Sequence, residues 1–163
     1  VADMKVADTG AIEVEMAAKA GADIVCILAD ADDAVVADAV RAARLYGIRL
    51  MADLINVQDP QARAGQLEAM GVDIICAHVG IDQQMTGKDS LELLSRMAGR
   101  VRIPVAVAGG IDAGGAQEAV RKGAAIVIVG GWIVRKQTPD WVGAPSTTGT
   151  TRARRFSRAR SSS

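Results

Sequence analysis

Short, almost uninterrupted apolar runs recur along the chain, as in "DIVCIL" at 23–28, "DIICAHV" at 73–79 and "AAIVIV" at 124–129. They lack the apolar–polar alternation of a strand with one wet face, and so read as parallel strands buried on both sides. The same pattern places strand cores at about 2–5, 23–28, 49–54, 73–78, 104–108 and 125–129. The segments between them have helical periodicity. Residues 9–20 put Ile12, Met16 and Ala20 on one apolar face and Glu13, Glu15 and Lys19 elsewhere. Residues 32–46 repeat this with Val36, Val40 and Leu45, and further helices are predicted within 59–70, 87–99 and 112–123.

Glycines punctuate the pattern. Gly21, Gly47, Gly71, Gly99 and Gly123 are spaced by 24 to 28 residues, each between a helical stretch and an apolar run. Glycine just past a helix takes a positive φ without steric cost and ends it. Two junctions are nearly the same text, "AGADIVC" at 20–26 and "MGVDIIC" at 70–76. The chain is therefore a series of strand–helix units of about 25 residues, which suits a (β/α)8 barrel or an open doubly wound sheet.

The strand ends separate these two. They read "DMKVAD", "CILADADD", "ADLINVQD", "CAHVGIDQQ", "AVAGGID" and "VIVGGW". An open sheet gathers its chemistry at one crevice, whereas a closed ring carries polar groups at nearly every C-terminal strand end. The expected fold is α/β, an incomplete TIM barrel with about six of eight βα units, the two absent ones expected before Val1. This domain is expected to cover residues 1–137. Residues 138–163, rich in Arg, Ser and Thr, are expected to form a disordered tail.

Composition adds limits. No stretch approaches the roughly 18 apolar residues of a membrane-spanning helix, and no charged-then-apolar leader opens the chain. The formal net charge of zero hides a split. Residues 141–163 carry five arginines and no acid, leaving fourteen basic and nineteen acidic side chains before them, a net of −5. Cys26 and Cys76 lie far apart in apolar runs with no CxxC spacing, so two buried reduced thiols are expected rather than a zinc or redox pair.

Three groups of residues carry candidate chemistry. In Asp3-x-Lys5, positions two apart on a strand share a face, and carboxylates keep a neighbouring lysine protonated as a donor toward developing oxyanions. Asp8 follows at or near the next helix N-cap. The pairs Gly109–Gly110 and Gly130–Gly131 close the last two apolar runs, where the loops of such barrels commonly bind phosphate. His78, the only histidine, ends its strand beside these elements and is a candidate for proton transfer.

"DMKVAD", "HVGIDQQ", "AVAGGI" and "VIVGG", in this order and spacing, resemble the 3-hexulose-6-phosphate synthases, a family of orotidine 5′-phosphate decarboxylase-like barrels. The resemblance covers about residues 1–137. It implies a reversible Mg²⁺-dependent aldol reaction joining formaldehyde to D-ribulose 5-phosphate through an enediolate, giving D-arabino-hex-3-ulose 6-phosphate. It implies Asp3 as the Mg²⁺ ligand, Lys5 as enediolate stabiliser, His78 as proton shuttle and Gly109, Gly110, Gly130 and Gly131 as phosphate holders. Asp8 resembles an aspartate that reaches into a partner's site, which implies a homodimer. A cytoplasmic setting with no membrane or nucleic-acid partner is expected. Two alternatives stand beside this reading. One is the related 3-keto-L-gulonate 6-phosphate decarboxylase, which typically has arginines where this chain has Ile81 and Trp132. The other is an inactive barrel fragment, because the family's first-strand aspartate and second-strand glutamate have no counterpart here.

Overall fold

The computed structural model describes residues 1–135. The tail expected over 138–163 lies outside the described residues. Six strands form one parallel sheet in sequential order: β1 (Ala2–Val6), β2 (Ile24–Leu28), β3 (Arg49–Asp53), β4 (Ile74–His78), β5 (Val105–Ala108) and β6 (Ile126–Ile128). Between them run α1 (Gly10–Lys19), α2 (Asp33–Tyr46), α3 (Pro60–Met70), the short α4 (Ile81–Met85), α5 (Ser90–Met97) and α6 (Ala113–Arg121). Helix α7 (Gly131–Arg135) follows β6. All six strands fall where the apolar runs predict them; α4 was not foreseen.

The strands alternate between two cores, as period-2 geometry requires. One row packs under the helices and includes Val25, Ile27, Leu50, Ala52, Ile75, Ala77, Val105 and Val107. The other row, Ile24, Cys26, Met51, Ile74, Cys76, Ala106 and Ala108, forms a separate cluster on the opposite face. That second face is concave. Asp3 on edge strand β1 and Ile128 on edge strand β6 line the same cavity, so the sheet curls round until its outermost strands approach one pocket. The described strands thus form six consecutive βα units of a (β/α) barrel, with β1 and β6 as its edges.

Helix ends follow the sequence. Asp32, Asp59, Asp89 and Asp112 cap α2, α3, α5 and α6 by accepting backbone N–H groups with their carboxylates. Gly47 and Gly71 take left-handed conformations just past α2 and α3.

Helix α1 departs from expectation. Ile12, Met16 and Ala20 do share a face, but Ile12 and Met16 are about 60% exposed. The buried side is Gly10, Val14 and Ala17. The cause is the close approach of α1 to α2. A Cβ on Gly10 would lie 2.4 Å from the carbonyl oxygen of Val35 and 3.2 Å from the Ala39 methyl. Small residues set that contact, so the larger apolar side chains fall on the other side. Leu45 on α2 is likewise exposed, while Val36 is fully buried.

Candidate active site

The inner row of each strand leads to the site. Continuing Met51 by two residues gives Asp53, and continuing Cys76 by two gives His78. Both therefore emerge on the concave face at the C-terminal ends of β3 and β4. Asp3 pairs with Cys26 across the β1–β2 ladder and stands on the same face.

Lys5 arrives by a different route. The β1–β2 register jumps from Asp3↔Cys26 to Val6↔Ile27, so Met4 and Lys5 form an irregular insertion in the strand. Lys5 has φ +52°, in the left-handed region, which costs about 1–2 kcal/mol for a residue with a Cβ. The bulge folds the lysine back. Its Nζ donates to Oδ1 and Oδ2 of Asp3 at 2.9 and 3.0 Å, and to Oδ2 of Asp53 at 2.6 Å. Asp3 and Lys5 meet as the sequence suggests, through a distorted strand rather than a regular one.

Asp53 is the centre of the arrangement and was not singled out by the sequence. Its side chain is only 2% exposed. It accepts from Lys5, from the backbone N–H of Ile55 at 2.9 Å, and from Nδ1 of His78, which lies 2.9 Å from Oδ2 and 3.1 Å from Oδ1. Burial pushes its carboxyl pKa up, but the hydrogen bonds from His78 and Lys5 outweigh it and hold the group below the usual carboxylate range. An ionised carboxylate has no proton to give, so His78 Nδ1 carries the hydrogen and Nε2 is left to accept or shuttle one. Burial works against the Lys5 ammonium too. Hydrogen bonds to Asp3 and Asp53 again win, and its pKa lies above the ordinary lysine value.

These groups line a cavity of about 500 Å³. Gly109, Gly110, Gly130 and Gly131 border it as well, so both predicted glycine pairs meet the lysine and the imidazole around one space. Gly109 has φ +97°, and a Cβ there would lie 2.1 Å from the Val79 carbonyl oxygen, so this turn accepts only glycine. The buried Ser90 hydroxyl donates to the Gly109 carbonyl and fixes the loop. Gln84, on the unforeseen α4, donates to Val79 O at 2.8 Å and packs against Gly110. Asp8 is not part of this group. It is exposed on the β1–α1 loop, outside the residues lining the cavity, where its carboxylate accepts the Thr9 N–H at 2.7 Å. Thr9, not Asp8, is the N-cap of α1.

Cys26 and Cys76 form part of the cavity floor; both are free and buried. Burial, reinforced by the Asp53 charge, raises both thiol pKa values, so they stay protonated. The donor set at the rim fits a hard cation at Asp3. Each Asp3 oxygen accepts one hydrogen bond from Lys5 and keeps a lone pair, and the side chain is 58% exposed.

The profile described as "Orotidine 5'-phosphate decarboxylase / HUMPS family" matches residues 1–143. The chain belongs to this family. It is 40% identical over 134 residues to the 3-hexulose-6-phosphate synthase of Bacillus subtilis (strain 168), covering 82% of this chain and 64% of that protein. The chain thus spans just under two thirds of that relative. The crystal structure of 3-hexulose-6-phosphate synthase from Salmonella typhimurium matches with a TM-score of 0.77 and 35% identity, over 82% of this chain and 64% of that one. A 3-keto-L-gulonate-6-phosphate decarboxylase from Vibrio cholerae is more distant, with a TM-score of 0.53 and 27% identity over 67% of this chain and 52% of that one. Within the family, the strand-end residues that carried the resemblance are those that meet in the cavity, with Asp53 added and Asp8 set apart.

Proposed function

We propose that this chain carries the aldol chemistry of a 3-hexulose-6-phosphate synthase, joining formaldehyde to D-ribulose 5-phosphate through an enediolate. The observation that carries the reading is the continuous hydrogen-bonded series Asp3–Lys5–Asp53–His78 opening on a cavity bordered by two glycine pairs. The loops at Gly109–Gly110 and Gly130–Gly131 take the sugar phosphate through backbone N–H groups, which fixes the ketose without touching the reacting carbons. His78, oriented through Nδ1 by Asp53, moves the proton on and off carbon through Nε2. Lys5 remains an ammonium throughout and donates to the enediolate oxygens as their charge develops. Because it stays protonated, it is not a nucleophile toward the aldehyde.

Mg²⁺ belongs to the same reading, held by Asp3, and would supply a second positive charge against the ketose oxygens. A second copy also belongs to it. Asp8 stands outside its own cavity, and the resemblance assigns that position to a partner's site. The two buried free thiols are consistent with a reducing, cytoplasmic setting. The synthase reading is preferred to the decarboxylase because Ile81 and Trp132 stand at the positions where the decarboxylases typically carry arginine. The test is incubation with Mg²⁺, D-ribulose 5-phosphate and labelled formaldehyde, followed by NMR. A hexulose phosphate carrying the label supports the assignment. Decarboxylation of a keto-gulonate phosphate without any aldol product overturns it.

A further inference from the structure

The Lys5 ammonium sits between two carboxylates, hydrogen-bonded to both oxygens of Asp3 and to Oδ2 of Asp53. That position is a cation site already filled by the chain's own cation. A third donor stands beside it. Donor atoms of Asp3, Cys26 and Asp53 all lie within 4.8 Å of one another, from three neighbouring strands. Cys26 and Asp53 are buried, and the second thiol, Cys76, lines the same cavity fully buried and without a hydrogen bond among the described residues. Two carboxylates and a thiol converging from a rigid sheet are a mixed oxygen–sulfur donor set, and such sets suit zinc and cadmium better than magnesium.

We propose that Asp3, Cys26 and Asp53 form a binding site for a thiophilic divalent cation, Zn²⁺ or Cd²⁺, which enters by displacing Lys5. Displacement frees both oxygens of Asp3 and Oδ2 of Asp53 together. The Cys26 thiol gives up its proton to solvent as sulfur bonds the metal, and the Lys5 ammonium swings out toward the cavity. Mg²⁺ gains nothing from sulfur and so has no comparable return for removing Lys5 from Asp53; it is confined to the outer face of Asp3. The site therefore makes the cavity sensitive to soft metals. The ion that binds there removes Lys5 from its place between Asp3 and Asp53. This inference rests on the geometry of the donors and does not depend on which reaction the cavity performs.

Cadmium titration of the full chain, followed by the ultraviolet sulfur-to-cadmium charge-transfer band, tests it directly, with no activity readout. The wild type is expected to develop the band with one equivalent of Cd²⁺. Cys26→Ser is expected to lose it, whereas Cys76→Ser keeps at least part. Asp3→Asn, at an exposed position that leaves the core intact, is expected to weaken binding about tenfold. Lys5→Met is expected to tighten it by about tenfold or more, because no ammonium then competes. Circular dichroism checks each fold, and the Asp3 and Lys5 variants decide the matter if Cys26→Ser does not fold. Absence of the band in wild type, its survival in Cys26→Ser, or indifference to both Asp3→Asn and Lys5→Met overturns the proposal.

Discussion

Nδ1 of His78 lies 2.9 Å from Oδ2 of Asp53, the same oxygen that accepts Lys5 Nζ at 2.6 Å. One buried carboxylate oxygen therefore fixes both the candidate proton carrier and the candidate oxyanion donor.

Replacing Asp53 by Asn removes the charge while keeping the shape. His78 loses the acceptor that sets its tautomer, and Lys5 keeps only Asp3. Turnover is expected to fall by about 10²–10⁴ with little change in KM for the sugar phosphate, since the glycine loops are untouched. Steady-state kinetics on the purified variant checks this, and an equal rise in KM would point to a binding role instead.

Lys5→Met leaves the buried Asp53 without its cation. Breaking a buried pair costs 3–5 kcal/mol, but Lys5 is only half-buried, so about 1–3 kcal/mol of stability is expected to go. Methionine also carries a Cβ, so Lys5→Met keeps the left-handed strain at this position and loses only the charge. Urea unfolding measures the loss, and Lys5→Gly, which removes the φ penalty as well as the charge, is expected to be less destabilised than Lys5→Ala.

Stability should also depend on pH with a definite sign. The Asp53 carboxyl is held below its unfolded value of about 3.9. Its contribution is complete above that value and is lost as the pH falls through the lower folded one. Lys5 is raised above 10.5, so its contribution is complete below that pH and is lost on going well above it. Melting temperatures followed into acid should drop less steeply for Asp53→Asn than for wild type. An identical acid slope in both would show that Asp53 is not ionised through its hydrogen bonds.

The two glycine loops separate shape from binding. Gly109→Ala places a Cβ 2.1 Å from a carbonyl oxygen at φ +97°, and is expected to cost more than about 1–3 kcal/mol in stability. A Cβ on Gly130 meets nothing within 4 Å. Gly130→Ala is therefore expected to melt close to wild type. If phosphate approaches that loop, it will still bind ribulose 5-phosphate more weakly by calorimetry.

Most of the fold was legible because parallel strands buried on both faces have a strong signature, and recurrent glycines mark the junctions. The misreadings have physical causes. Side-chain size points to the Ile12–Met16 face of α1, whereas its packing on α2 is set by Gly10 and Ala39, which give no hydrophobic signal. Val14→Ala is thus expected to cost about 2 kcal/mol and Met16→Ala less than about 0.5. The site was legible where residues stand close in sequence, as in Asp3 and Lys5, or end a strand conspicuously, as does His78. Asp53 escaped notice because aspartates at strand-to-helix junctions are usually caps, and "ADLINVQD" contains a true cap, Asp59, six residues on. Counting inner-row positions upward from Met51 would have found it. The bulge at Lys5 leaves no trace in composition, since it depends on the register of a partner strand.

The most direct test is exchange of the C1 protons of D-ribulose 5-phosphate with solvent deuterium, followed by NMR without formaldehyde. It isolates formation of the enediolate from the aldol step. Wild type is expected to exchange a C1 proton, and His78→Ala and Asp53→Asn are each expected to slow this at least about a hundredfold while still binding the sugar phosphate. Exchange at the wild-type rate in both variants, or none in a folded wild type that binds ribulose 5-phosphate, would contradict a proton relay centred on Asp53.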